Sequence, residues 1–97
     1  MSTMPVSEIK RIDDKNKRQA SVTALKSEEL SPSDLQGLIE LLADPYWPVR
    51  EAASKKLIAV GPKVSSCLVN AISDPSEDIR FWSSQILATI ADGDAID

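Results

Sequence analysis

The feature that most constrains this chain is that it repeats itself. Shifted by thirty residues, two segments overlay. Asp44-Pro45 falls on Asp74-Pro75 and Arg50 on Arg80. Leu38, Ile39 and Leu42 fall on Leu68, Val69 and Ile72, and Val49, Leu57 and Val60 fall on Ile79, Leu87 and Ile90. The matched positions are apolar residues plus punctuation, which is what a repeated packing unit requires. A unit this short cannot bury its apolar face alone, so the pattern calls for units stacked side by side.

Each unit reads as two helices. In the first, Ser31-Pro32-Ser33-Asp34 is a start signal: a capping hydroxyl, a proline in the first turn and an acid behind it. Leu35, Leu38, Ile39 and Leu42 follow at helical spacing, and Pro45 ends the run. Pro48 opens a second helix with a stripe of Val49, Ala52, Ala53, Leu57 and Val60. Gly61-Pro62 stops it, with Gly61 suited to a left-handed cap. The next unit carries Val64, Cys67, Leu68, Ala71 and Ile72, a break at Asp74-Pro75 with Ser76 as cap, and then Ile79, Trp82, Ser83, Ile86, Leu87 and Ile90. No segment alternates with period two, so no sheet is expected. The fold class is all-α, a short α-solenoid of antiparallel helix pairs with about five helices.

The run Leu41-Leu42-Ala43-Asp44-Pro45 … Pro48-Val49-Arg50-Glu51-Ala52-Ala53 … Leu57 … Val60-Gly61 resembles the short HEAT-like repeats of the phycobilisome-lyase type. Ile72-Ser73-Asp74-Pro75 … Asp78-Ile79-Arg80 … Leu87 … Ile90-Ala91 is similar to it, with Trp82 where such repeats usually have Ala and Phe81 where they usually have a polar residue. The resemblance covers roughly residues 32–92. It implies that Asp44, Arg50, Asp74 and Arg80 are structural and form a polar ladder along the stack. It also implies that second helices line a concave face.

The organisation follows. Residues 1–30 comprise a disordered start, Met1 to Pro5, and a degenerate capping helix or helices. Arg18-Gln19-Ala20 … Leu25 is similar to Arg50-Glu51-Ala52 … Leu57 at an offset of thirty-two. Residues 31–61 and 62–91 are the two repeats. Residues 92–97 are a tail or the truncated start of another repeat, with Ile86 and Ile90 facing an uncovered side. Three readings of that side stand open: a piece of a longer repeat protein, a self-associating chain, or a monomer closed by its N-terminal cap.

Composition narrows the function. The chain has no histidine, which removes Ser-His and Cys-His nucleophile pairs and most catalytic zinc sites. Cys67 is a lone thiol on an apolar stripe with no adjacent base, and it can form no internal disulfide. Asp92, Asp94 and Asp97 lack the spacing of a calcium loop. The reading is therefore non-catalytic, with no catalytic residue, cofactor or metal assigned. No apolar run reaches membrane-spanning length and the N-terminus lacks a signal-peptide core, so a cytoplasmic location is expected by default. Residues 31–97 hold five basic and ten acidic side chains, a balance that weighs against a nucleic-acid partner. The basic cluster Lys10, Arg11, Lys15, Lys17 and Arg18 is interrupted by Asp13 and Asp14.

What is left is recognition of a protein. Outward positions on the second helices are expected at Glu51, Ser54, Lys55 and Ile58, and at Phe81, Ser84, Gln85 and Ala88. Large aromatics on such a surface are the usual binding anchors. The expected partner site comprises Trp47, Glu51, Lys55, Phe81, Ser84 and Gln85, with Trp82 in the core. The resemblance alone offers an alternative, a bilin-lyase-like chromophore-handling subunit.

Overall fold

A computed structural model of the chain describes residues 4–96, with side chains described through residue 91. Its α-helices are α1 (Val6–Ile9), α2 (Lys15–Ala24), α3 (Pro32–Glu40), α4 (Trp47–Val60), α5 (Ser65–Ala71) and α6 (Glu77–Ile96). Single 3-10 turns at Ser27–Glu29, Leu41–Ala43 and Gly61–Val64 join them, and no strand occurs among the described residues. Five of these helices are seven residues or longer; α1 is a single turn. Odd and even helices form two layers. One layer runs α1, α3, α5 and the other α2, α4, α6, and each helix also packs on its partner in the other layer. No described helix is long and apolar enough to cross a membrane.

Local chemistry explains the boundaries. Ser31 and Asp34 form a reciprocal capping box at α3, and Pro32 fills its first turn. Asp14 caps α2 by accepting from the amides of Asn16 and Lys17. Those amides, Lys17 first, hold the Asp14 carboxyl below its ordinary pKa against a smaller upward push from desolvation. Ser76 accepts from the Ile79 amide at the start of α6. The helix α4 begins at Trp47, one residue ahead of Pro48, with Tyr46 as its N-cap.

Gly61 ends α4 at φ 80° and ψ −153°. The positive φ agrees with the sequence reading, but ψ lies outside the left-handed helical region and in one that only glycine adopts readily. A Cβ there would meet nothing within 4 Å. Gly61→Ala should therefore lower stability by about 1–3 kcal/mol through backbone strain alone. Chemical denaturation checks this, and a loss below a few tenths would show that the turn relaxes freely.

The core runs the length of the stack. Leu35, Leu38, Ile39 and Leu42 are buried together with Val49, Ala53, Leu57, Val64, Leu68, Ile79, Ile86 and Ile90. The first unit closes onto α3 at a close approach. A Cβ at position 37 would lie 2.6 Å from Val6 Cγ1, so Gly37 is what lets α1 lie against α3. The Val6 amide donates to Asp34 Oδ1 at 3.1 Å, and Lys10 pairs with Glu40 beside it. Burial alone would raise the Asp34 carboxyl, but the amides of Val6 and Ser31 and the Ser31 hydroxyl outweigh it and hold its pKa below the ordinary value.

Several sequence expectations need correction. Ile86 and Ile90 are buried and face no open side, while Ile72, placed on the α5 stripe, is exposed along with Val69. Ile72 caps α5 with helical backbone angles and donates its amide to the Leu68 carbonyl, three residues on from Val69, so the two share one outward side of α5. Ser54, expected outward, is buried on α4, which is flanked within the even-helix layer by both α2 and α6. Its counterpart Ser84 is exposed on α6, which among the described residues has only α4 beside it in the even-helix layer. Leu87 is only partly buried, whereas its counterpart Leu57 is fully so. Ser83, at the position of Ala53, is buried with no hydrogen-bond partner for its hydroxyl. Helix α6 runs on to Ile96, into the segment that the sequence reads as a tail or the truncated start of another repeat. Of the start expected to be disordered, Met1 to Thr3 lie outside the described residues, and Pro5 is the N-cap of α1. The side chains of Asp92, Asp94 and Asp97 also lie outside what is described.

Candidate partner-binding site

Arginines lock the start of every even helix. Arg50 donates from Nε to the Asp44 carbonyl, and Arg80 donates from Nη1 to the Asp74 carbonyl at 2.7 Å. Arg18 donates from Nη1 to the Ile12 carbonyl at 2.7 Å. In all three the acceptor lies six residues upstream, so α2 is built like α4 and α6. The aspartates fold back on the same turns: Asp44 Oδ1 accepts from the Tyr46 amide at 2.9 Å, and Asp74 Oδ1 from the Ser76 amide at 2.8 Å.

Between units the contacts are unequal. Arg18 grips Asp44 in a two-pronged bond, Nε to Oδ2 at 2.8 Å and Nη2 to Oδ1 at 3.0 Å. Asp44 is only 8% exposed. At the next junction Arg50 reaches Asp78, not Asp74, at 3.5 Å. Sequence reasoning missed Arg18 as the partner of Asp44. The signal was the match of residues 18–25 to residues 50–57, which places an arginine at the start of α2.

The aromatic residues converge at one edge of the even-helix layer. Trp47, the first residue of α4, meets Trp82 of α6 edge to face at a centroid distance of 5.5 Å. Phe81 meets the same Trp82 edge to face at 5.9 Å. Trp82 is half-buried at the hub, while Trp47 is 53% and Phe81 58% exposed. Tyr46 turns away from this group. Its hydroxyl donates to Asn16 Oδ1, and the Lys15 ammonium sits 4.8 Å over its ring.

Of the other residues expected in the site, Glu51 is exposed one helical turn beyond Trp47. Ser84 and Gln85 are exposed one turn beyond Phe81, and the Ser84 hydroxyl donates to the Arg80 carbonyl. Lys55 is exposed one turn beyond Glu51 and also lines a groove with Thr23, Ala52, Lys56 and Ala59. The site is thus an open aromatic ridge across the α4–α6 seam, with acids beside it. The place of Trp82 on the α6 stripe predicts a core residue. The structure makes it both core lid and ridge floor.

Comparison with curated proteins and with solved structures finds no match. The HEAT repeat family model matches residues 35–64, which run from α3 through α4 to the end of the turn after it. Repeats of that family are protein-interaction scaffold units in general and are typically non-catalytic. Residues 35–64 are a HEAT repeat, set within an all-α stack of helix pairs.

Proposed function

We propose that this chain is a non-catalytic protein-interaction module that binds a partner on the even-helix face, with Phe81 and Trp47 as anchors over Trp82. One observation carries the reading: two large aromatic side chains stay more than half exposed while held in place by a third. Holding them rigid lowers the ordering cost of binding, and leaving them wet in the free chain reserves apolar area for a partner. Exposed Glu51, Ser84 and Gln85 supply the polar rim that such surfaces carry. The ridge is open, with Trp47 and Phe81 more than half exposed, which suits a polypeptide better than a tetrapyrrole, whose binding calls for a cleft covering most of its surface.

The test is comparative capture. Phe81→Ala should weaken retention of a partner by about tenfold or more, the scale of a hot-spot residue, and leave the helical circular dichroism unchanged. Val69→Ala, on an exposed apolar residue of the odd-helix layer, should leave retention intact. Equal retention by both variants would refute the site.

A further inference from the structure

We infer that a second copy of this chain packs on the side of α5 and α6 that faces away from α3 and α4, so that two chains join into one longer helical stack about a two-fold axis. The thirty-residue register gives each residue on that side a counterpart whose cover is on view. Val69 and Ile72 are 53% and 41% exposed, whereas Ile39 and Leu42, thirty residues earlier, are 1% and 0% exposed. In the other layer Ser84 is exposed and Leu87 half-buried, whereas their counterparts Ser54 and Leu57 are buried.

Contacts within the stack fix the direction. Helix α1 lies on the Gly37 and Glu40 side of α3. Ile39 and Leu42 come two positions after these, on the opposite side, and so face the α5–α6 unit that packs on α3 and the turn after it. On α4, Trp47 meets Trp82 and Arg50 meets Asp78, so these two mark the α6 side. Ser54 lies one turn beyond Arg50, and Leu57 one turn beyond Ser54. The positions that the second unit covers on the first are thus the ones left open on the second, and what fits them is another helical face.

The patch suits its own image. Val69, Ile72, Ser84 and Leu87 carry no charge, so two copies can face each other without like-charge repulsion, as a two-fold contact requires. The charged groups at its edge, Glu77 and Arg80, are opposite in sign. The far side of the stack is a poorer match, since α1 exposes Glu8 there and the turn after it Arg11. The contact is small, so the pair is weak and the dilute chain is monomeric.

Sedimentation equilibrium from micromolar to millimolar chain tests this. The wild type should pass from monomer to dimer and stop at two, because a two-fold contact closes on itself. Val69→Lys and Ile72→Lys, both at exposed positions, should each raise the dissociation constant about tenfold or more with the helical circular dichroism unchanged. Phe81→Ala should leave it as it is. A strict monomer at millimolar concentration would overturn the inference, as would a dimer indifferent to both lysine variants. Association that grows past two would mean that unlike sides meet, and would overturn the two-fold pair. A dimer lost in Phe81→Ala but kept in both lysine variants would move the self-contact to the aromatic ridge and overturn it too.

Discussion

Asp44→Ala lowers the stability of this chain by about 3–5 kcal/mol, the scale seen when one partner of a buried ion pair is removed. For a domain of ordinary stability, about 5–15 kcal/mol in all, that is enough to leave much of the population unfolded at moderate temperature. The size follows from what Asp44 touches. Its carboxylate takes both prongs of the Arg18 guanidinium and the Tyr46 amide, in a setting where Arg18 itself is nearly buried. Truncation leaves a guanidinium stranded between α2 and α4 with only the Ile12 and Asp13 carbonyls. The cost is that of the orphan charge and not the worth of the bond, so adding Arg18→Met to Asp44→Ala should recover part of the loss. Urea unfolding of the two single variants and the double variant measures this, and strict additivity would contradict the coupling.

The second large effect separates two positions that the repeat makes equivalent. Leu57→Ala should cost about 2–5 kcal/mol, since Leu57 is fully enclosed and α4 is packed by α2, α3 and α6, which cannot all collapse into the void. Leu87→Ala should cost less than half as much, because Leu87 is only partly buried, on a helix that in its own layer has only α4 beside it among the described residues. Equal losses in thermal or chemical unfolding would mean that the α6 side is covered as fully as the centre of the stack.

The fold was legible where local chemistry and periodicity agree. Ser31 and Asp34 announce a capping box, and Leu35, Leu38, Ile39 and Leu42 announce the face that follows, because both signals are written within a few turns of one helix. Gly61 announces a positive φ for the same reason. What went astray depends on neighbours. Whether Ser54 is inside depends on α4 being flanked on both sides of its layer, and Ile72 shares the outward side of α5 with Val69. Leu87 and Leu57 share a register but not a position in the stack. The arginine rule was half legible: Arg50 and Arg80 stand out by the thirty-residue offset, whereas Arg18 is displaced by two residues and has Ile12 six residues upstream, where its counterparts have aspartate. The aromatic ridge was legible only in pieces. Phe81 and Trp47 stood out as large residues at outward positions, but their shared contact with Trp82 joins two helices thirty-odd residues apart.

Photocrosslinking tests the central claim most directly. A photoreactive amino acid is placed in turn at positions 47, 81 and 69 of the otherwise intact chain and irradiated in its native host. The ridge account predicts crosslinks to one and the same protein from positions 81 and 47, and none to it from position 69. A protein other than a second copy of this chain, joined from position 69 but not from 81 or 47, would put the binding surface on the odd-helix layer and contradict it.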